Sequence, residues 1–187
     1  MTEAEEEKQF QVWQKTNIEM LDAMFSGELS DTPQKWVKEY LEAVLKIYNE
    51  LPKNRYLYAH STIRNSIGNY FASMGWDYRF EVPFGDIDSS HRFDLMAQKD
   101  EHRIYVEVKP ELNTRDFGQI LGYLFDVRKV FKKARFFLGT DILNLPAVIN
   151  GGEITDIIID IAQRHGMGVF LANKEMAWLI PAEFFLI

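Results

Sequence analysis

The sequence predicts an α/β protein with a mixed β-sheet core flanked by helices and a helical extension at the N-terminus. Two patterns predict this class. Three consecutive stretches between residues 78 and 109 alternate apolar and polar side chains, which is typical of an antiparallel meander. After the meander, amphipathic helical segments alternate with short apolar strands, which is typical of an α/β sandwich.

The size and composition of the chain indicate a folded protein with a full core. The chain has 187 residues, of which 47% are hydrophobic. We expect residues 1–52 to form a helical hairpin that packs on an α/β domain of residues 53–187. The N-terminus is acidic and no stretch has about 18 uninterrupted apolar residues, so we expect a cytoplasmic protein.

Charge and cysteine content limit the ligands that the protein can bind. The net charge of −7 is unfavourable for nucleic-acid binding. The acid is concentrated in residues 1–50, with 11 acidic and 5 basic residues, whereas residues 51–135 have 11 acidic and 14 basic residues. The absence of cysteine excludes disulfides and cysteine-ligated zinc or iron–sulfur clusters, so any metal must sit on oxygen or imidazole ligands.

Two helices are predicted in the N-terminal extension. The first ends at Ser26-Gly27, and the second begins near Asp31 or Thr32 with Pro33 in its first turn. Both carry apolar stripes, formed by Phe10, Trp13, Met20, Leu21 and Met24 in the first helix and by Trp36, Val37, Tyr40, Leu41, Val44, Leu45 and Tyr48 in the second. Stripes of this kind indicate core or interface positions.

The α/β domain is predicted to begin with a helix over residues 60–74 that ends at Gly75. His60 precedes Ile63 and Ile67 by helical spacing, which turns it toward the buried side of the helix. A buried or half-buried histidine with satisfied hydrogen bonds is the simpler interpretation of His60. A metal ligand is the alternative.

A strand over residues 78–84 and a polar loop follow this helix. Apolar and charged side chains alternate along the strand, and Pro83 indicates its end or an edge of the sheet. The loop contains Asp86 and Asp88, which could bind a cation but are explained more simply as turn residues.

Residues 92–109 are predicted to form a β-hairpin that turns between Asp100 and Glu101. In each arm, apolar residues alternate with polar ones, so each arm has one apolar face and one polar face. The register that matches the apolar faces pairs Phe93 with Val108, Leu95 with Val106 and Ala97 with Ile104.

The polar face of this hairpin brings two carboxylates and a lysine together. Asp94 falls opposite Glu107, with Cβ atoms about 4.5–5.5 Å apart, and Lys109 lies two residues farther along. Adjacent anions are unfavourable without a cation, and such oxygen ligands suit Mg²⁺ or Mn²⁺. Because a metal activates water and a lysine can orient it beside a phosphate, these residues indicate phosphodiester hydrolysis.

A helix over residues 115–133 is predicted after the hairpin. Gln119 and Tyr123 lie four residues apart and share one face of this helix. Gly118 and Gly122 suggest a close approach to the sheet. Basic residues at the end of the helix are either solvated or contact phosphates, and the candidate nucleic-acid contacts are Arg128, Lys129, Lys132 and Lys133.

The rest of the chain is predicted to alternate strands with a helix. We expect strands over residues 134–139 and 167–172, with a helix over residues 154–166 between them. Residues 178–187 are apolar enough to form a further strand or a dimer contact. A second copy of the chain or a partner protein could therefore bind through this tail or through the N-terminal helices.

The hairpin and the following helix resemble the PD-(D/E)XK nuclease superfamily, which has the restriction-endonuclease-like fold. The match consists of Asp94 and Glu107-Val108-Lys109, and the order of elements agrees over about residues 55–171. Phe93 stands where the family motif has proline. Within the superfamily the sequence is similar to the RecB-like branch, because Gln119-Ile120-Leu121-Gly122-Tyr123 matches its Gln-x-x-x-Tyr motif.

The resemblance implies a Mg²⁺- or Mn²⁺-dependent nuclease that acts on DNA. It implies that Asp94 and Glu107 hold the metal and that Lys109 serves the attacking water. Gln119 and Tyr123 would position substrate or water.

The resemblance also implies a third metal ligand on the first helix of the domain. RecB-like members carry a metal-binding histidine there, and His60 is the only histidine in this helix. Many other members use a glutamate at this place, but the helix has no acidic residue. Glu81 on the first strand is a weaker substitute.

Two other interpretations remain open. A nuclease fold that does not hydrolyse its ligand could bind nucleic acid or protein, which the acidic net charge favours and the intact Asp, Glu, Lys, Gln and Tyr set opposes. Alternatively, the acidic helices of residues 1–50 could be the main working surface and dock a partner protein that supplies DNA targeting.

Overall fold

A computed structural model of the protein describes residues 1–31, 33–84, 88–130 and 133–186. The helices are α1 (Glu3–Ser26), α2 (Glu28–Asp31), α3 (Pro33–Glu50), α4 (His60–Ser73), α5 (Thr114–Val130), α6 (Leu145–Ile149) and α7 (Glu153–His165). The strands are β1 (Asp77–Phe84), β2 (Asp88–Lys99), β3 (His102–Val108), β4 (Arg135–Asp141), β5 (Met167–Ala172) and β6 (Ala177–Ile180). Short 3₁₀ helices cover Ile142–Asn144 and Ala182–Phe185.

The strands form one mixed sheet in the order of the sequence, from β1 to β6. The first three strands are antiparallel, β3, β4 and β5 are parallel, and β6 returns antiparallel to β5. Antiparallel neighbours need only a tight turn, whereas the parallel neighbours are joined by helices, α5 in one case and α6 with α7 in the other. The predicted α/β class with a mixed sheet flanked by helices is confirmed, and the topology is compatible with a restriction-endonuclease-like fold.

Most predicted elements are confirmed within the ranges that the structure describes. Gly27 ends α1 in the left-handed conformation, with φ 82°, and Pro33 is the first residue of α3. Asp31 lies in the short helix α2, whereas Thr32 lies outside the described residues. Asp86 also lies outside them, and Asp88 begins β2.

The hairpin register is confirmed over most of its length. The pairs run from Leu95–Val106 to Lys99–His102, and Asp100 at the turn has φ 54°. Toward Asp94 the ladder ends, so the expected pairs of Asp94 with Glu107 and of Phe93 with Val108 are not part of it. Phe93 instead contacts Tyr105, with ring centroids 4.8 Å apart, although Tyr105 belongs to the face opposite Leu95. The strands twist apart here, and simple alternation fails at this point.

Helices lie on both faces of the sheet. Helix α4 contacts strands from β1 to β6 on the face that carries Val106 and Val108. On the opposite face, Ile120 and Leu124 of α5 line a small cavity with Phe136. The prediction that Gly118 and Gly122 allow a close approach is wrong, because a Cβ at either position would meet none of the described atoms within 4 Å.

The close approach occurs instead between α4 and β4. A Cβ at Gly139 would lie 2.6 Å from the Ile67 Cδ1 atom and 3.2 Å from the Val106 Cγ1 atom. Gly139 therefore lets α4 rest directly on the centre of the sheet, which brings the start of this helix to the strand ends.

The N-terminal helices share the core of the α/β domain. The Asn17 Oδ1 atom accepts hydrogen bonds from the Tyr40 hydroxyl at 3.3 Å and the Tyr70 hydroxyl at 3.0 Å. The Trp13 and Tyr70 rings pack edge to face at 5.7 Å. Arg135 of β4 also donates to the Met24 carbonyl at 3.1 Å. One apolar cluster therefore extends from α1 to the C-terminal strands.

The apolar tail was expected to form a further strand or a dimer contact. In the structure it forms the strand β6 and a 3₁₀ turn. Its Glu183 is buried and forms an ion pair of 3.0 Å with Arg135.

Among the described helices, none is by itself long and apolar enough to cross a membrane, although the bent pair Ile142–Ile149 and Glu153–His165 has that length and composition when taken together.

Candidate functional site

The carboxylate pair lies where β2 and β3 separate. Asp94 and Glu107 are both buried, with exposed fractions of 8% and 9%. Beyond the Leu95–Val106 pair, the Val108 N–H of β3 donates to the Asp94 Oδ2 atom at 2.7 Å. The Asp94 side chain therefore takes the place of a β2 backbone carbonyl as hydrogen-bond acceptor. The site is therefore built into the end of the ladder rather than placed on its surface.

Asp94 also joins the sheet to helix α4. Its Oδ1 atom lies 2.9 Å from the Nε2 atom of His60, the first residue of that helix. The His60 side chain is 41% exposed, so it lies between the pair and solvent. The structure thus brings His60 to Asp94, across the sheet from α5.

The Glu107 carboxyl lies in surroundings that oppose its ionisation. Burial, followed by the negative charge of Asp94, raises the pKa of Glu107 to about 8, although the Lys109 ammonium acts in the other direction. The Glu107 Oε2 atom is buried and has no hydrogen-bond partner among the described residues. An ionised carboxyl with a buried, unpartnered oxygen next to a second carboxylate is costly unless a cation or a proton reaches it, and in the protonated form Glu107 can hydrogen-bond Asp94.

Lys109 is held beside this pair by a chain of side chains from α5. Its Nζ atom lies 3.9 Å from the Glu107 Oε1 atom and donates to the Gln119 Oε1 atom at 3.2 Å. The Gln119 Nε2 atom donates to the Tyr123 hydroxyl at 2.6 Å. The Lys109 N–H donates to the Gly139 carbonyl at 2.8 Å, which fixes the backbone on β4. Glu107, Lys109, Gln119 and Tyr123 thus form one connected group.

The donor set at the site matches a hard divalent cation only in part. Asp94 and Glu107 supply buried carboxylate oxygens, and Mg²⁺ is commonly held by one or two carboxylates while it keeps several waters. However, the described part of the chain contains no group of three or more His, Asp or Glu side chains arranged to hold a metal. The unpartnered Glu107 Oε2 atom fits a cation, and a third protein ligand is not assembled around it.

The two candidates for a third ligand are both engaged by other residues. The His60 Nε2 atom is occupied by Asp94. Glu81 forms an ion pair of 2.9 Å with Arg64, and its backbone has φ 52°, which interrupts β1 opposite Asp94.

The predicted basic cluster at the end of α5 does not reach the carboxylates within the described residues. The side chains of Arg128 and Lys129 and the whole of Lys132 lie outside them. Lys133 is exposed just before β4, whose first residue Arg135 pairs with Ile104, whereas Glu107 pairs farther along with Leu138. Lys133 therefore lies at the opposite end of the strands from the carboxylate pair.

Sequence patterns missed the ion pair that holds the segment before His60. Asp141 is fully buried and accepts two hydrogen bonds of 2.8 Å from the Arg55 guanidinium and one from the Tyr58 N–H. Burial disfavours the Asp141 anion, but these hydrogen bonds and that of the Leu143 N–H outweigh it and lower the pKa of Asp141. No local spacing links Arg55 to a residue 86 positions away.

Comparison with known proteins adds little to this description. No family model matches the chain. No curated protein matches it either. Among solved structures, the chain is similar to the crystal structure of an XisH family protein from Nostoc punctiforme, with 16% identity and a TM-score of 0.47 over 65% of this chain and 97% of that chain. The functional argument therefore depends on the site itself.

Proposed function

We propose that this protein is a divalent-metal-dependent nuclease that hydrolyses phosphodiester bonds in DNA. The observation that carries this proposal is the unpartnered Glu107 Oε2 atom, buried next to Asp94 and within reach of Lys109. The resemblance to the RecB-like branch of the PD-(D/E)XK superfamily, through these residues with Gln119 and Tyr123, supports the same function.

In the proposed site, Asp94 and Glu107 would hold Mg²⁺ or Mn²⁺. Bound there, the ion would supply Lewis-acid activation of the phosphodiester and offset the charge of the two carboxylates. Asp94 is oriented for this task by the Val108 N–H and by His60. His60 holds Asp94 from α4, and its Nε2 atom would have to release Asp94 before it could itself bind the ion.

Lys109 acts on the nucleophile and on the developing charge. Its ammonium is held between Glu107 and Gln119, so it can orient a water for in-line attack and stabilise the negative charge on phosphorus. The water oxygen forms the new bond to phosphorus and gives up a proton, while the ester bond to the leaving oxygen breaks and that oxygen takes up a proton from solvent. Gln119 fixes the Lys109 side chain, and Tyr123 in turn fixes the Gln119 amide.

The substitution Lys109→Ala tests this proposal. We expect metal-dependent cleavage to fall by at least about a hundredfold, because the variant loses both water orientation and charge stabilisation. Cleavage would be measured on linear, circular, single-stranded and branched DNA with Mg²⁺ and with Mn²⁺. Lys174→Ala, an exposed lysine between β5 and β6, is the matched control and should cleave like the wild type.

Circular dichroism would show that the Lys109→Ala variant keeps the fold. Equal cleavage by this variant and the wild type would contradict the assigned role of Lys109. Absence of cleavage by the wild type on every substrate would contradict the proposed function.

A second candidate function is that of a binding module with a nuclease fold and no hydrolytic activity. It is favoured by the occupied His60 Nε2 atom and by the lack of a three-ligand group in the described part of the chain. Calorimetric titration with Mn²⁺ separates the two functions. If the protein is a metal-dependent nuclease, the wild type should show a heat of Mn²⁺ binding that the Glu107→Gln variant lacks. A binding module without a metal site should show no heat of Mn²⁺ binding.

A further inference from the structure

Part of the sheet near the carboxylate pair is left open by the helices. A cleft of about 750 Å³ lies over β1, β2 and β3, on the face away from α4, and we call it the open sheet face. Its lining residues are Gly75, Asp77, Tyr78, Arg79, Val82, Pro83, Met96, Gln98, Lys99, Asp100, Arg103 and Tyr105. Its volume lies in the range of clefts that bind small molecules, and its open side leaves room for a ligand that extends beyond it.

The strand register connects the open sheet face with the carboxylates. Met96 pairs with Arg79 on one side and with Tyr105 on the other, so these three side chains form a row across the sheet. Glu107 lies two residues beyond Tyr105 on the same strand and the same face, a step of about 7 Å. Tyr105 lines both the cleft and the small cavity beside Glu107, so the cleft begins next to the carboxylate pair.

The open sheet face has a positive balance in an acidic protein. Arg79, Lys99 and Arg103 outnumber Asp77 and Asp100 among its charged residues, whereas the whole chain has 21 basic and 28 acidic residues. Arg79 is exposed. Arg79 forms no ion pair with any residue in the described ranges, so its charge is available to an anionic ligand.

Arg103 is held in place on this face by the aromatic residues beneath it. Its side chain hydrogen-bonds the Tyr105 hydroxyl. The Tyr105 ring is buried and stacks on Phe136, with centroids 5.8 Å apart and planes 18° apart. Because this support is rigid, Arg103 loses little side-chain entropy when it binds an anion.

We propose that the open sheet face binds the sugar–phosphate backbone of the nucleic acid on one side of the bond to be cleaved, with Arg79 and Arg103 contacting phosphates. This inference rests on the proposed nuclease function. A polynucleotide is the occupant that fits, because it presents repeated anions along the direction of the strands. Lys133 at the basic end of α5 does not line this face.

The experiment measures nucleic-acid binding without metal, so that cleavage does not enter. Fluorescence anisotropy with labelled single-stranded and duplex DNA in EDTA would compare the wild type with Arg79→Gln and Arg103→Gln over a range of salt. Loss of one phosphate contact should weaken binding about tenfold at low salt and reduce the slope of log affinity against log salt by about 0.7 for single strands or about 0.9 for duplex.

Two further variants make the result specific. Arg164→Gln on α7 changes the same charge at an exposed position, and its affinity and salt slope should match those of the wild type. Tyr105→Phe keeps the ring and removes the hydrogen bond to Arg103. It should weaken binding less than Arg103→Gln does and leave the salt slope close to that of the wild type.

The outcomes separate this inference from the nuclease proposal. If the wild type cleaves DNA while Arg79→Gln and Arg103→Gln bind and cleave as it does, the open sheet face is not the path and the nuclease function stands. If the wild type binds DNA through these residues and does not cleave it, the face stands and the nuclease function falls. A loss of affinity equal to that of Arg164→Gln would mean that only net charge matters, which also overturns the inference.

Discussion

Glu107 must carry a negative charge to bind a cation, yet its surroundings favour the protonated carboxyl. Burial and the charge of Asp94 raise its pKa to about 8, so a proton and a metal ion compete for the same oxygens near neutral pH. The nearby Lys109 reduces this penalty without removing it, because its Nζ atom is 3.9 Å away. A site of this kind stabilises the folded chain best when a cation is bound.

This competition predicts how stability depends on pH in the metal-free protein. The raised pKa stabilises the fold below the ordinary value of 4.5, and the contribution is lost as the pH rises through about 8. Glu107→Gln should abolish this loss and become more stable than the wild type at higher pH, by a few kcal/mol. Urea denaturation of both proteins in EDTA at several pH values measures this difference in the free energy of unfolding.

Glu111→Gln, at an exposed position beyond β3, is the control and should follow the wild-type curve. Parallel pH curves for the wild type and Glu107→Gln would show that Glu107 ionises normally in the fold.

At the scale of elements, the segment between α3 and α4 is fixed by Asp141 at the end of β4. The Arg55 guanidinium binds both Asp141 oxygens and stacks on the Tyr58 ring at 3.9 Å. The Tyr58 N–H binds the same carboxylate. Since α4 begins two residues later with His60, this buried pair sets where the histidine meets Asp94.

Asp141→Asn should lower the free energy of unfolding by about 3 kcal/mol, because Arg55 would lose its charged partner. The lowered pKa of Asp141 means that its contribution is present above the ordinary value and is lost as the pH falls through the folded value. Denaturation at pH 7 and at acidic pH would measure both effects. Asp160→Asn, in an exposed pair with Arg164, should change stability by less than about 0.5 kcal/mol.

The packing of β5 predicts a second effect at this scale. A Cβ at Gly168 would clash with the Phe137 ring and lie 2.6 Å from the Ile180 carbonyl oxygen. Gly168→Ala should therefore lower stability by about 2–3 kcal/mol. Gly118→Ala on α5 meets open space among the described atoms and should instead raise stability by up to about 1 kcal/mol.

Thermal unfolding of both glycine variants tests this contrast. A stable Gly168→Ala protein would mean that β6 can move away from β5 at little cost.

At the scale of the whole molecule, the N-terminal helices are bound to the α/β domain by polar as well as apolar contacts. Asn17 is buried and accepts hydrogen bonds from both the Tyr40 and the Tyr70 hydroxyls, so it links α1, α3 and α4 at one point. The Tyr40 ring also contacts Phe184 near the C-terminus, at 6.0 Å. We infer that the extension and the domain unfold together.

Asn17→Ala should lower the free energy of unfolding by about 2 kcal/mol, because two buried hydroxyls lose their acceptor. Tryptophan fluorescence and far-ultraviolet circular dichroism should still report a single transition. Asn65→Ala, on an exposed position of α4, is the control. Two separate transitions in the Asn17→Ala variant would show that residues 1–52 form an independent unit.

The sequence alone was sufficient for much of the fold, because short-range patterns determine which face of an element is buried. Alternation predicted the register from Leu95–Val106 onward, and helical spacing placed Gln119 and Tyr123 on one face. Alternation failed at Phe93, because strand twist near the end of a ladder depends on neighbouring strands and not on local pattern.

The chemistry of the site depends on contacts that no local pattern encodes. The sequence by itself determined that Asp94 and Glu107 occur on adjacent strands, with Lys109 directly after the second. Only the tertiary structure decided that Asp94 accepts the Val108 N–H and contacts His60, and that Arg55 pairs with Asp141. It also decided that the Glu107 Oε2 atom is buried without a hydrogen-bond partner among the described residues. The physical reason is that burial and long-range pairing arise from how separate elements pack, whereas periodicity specifies only the direction of each side chain from its own backbone.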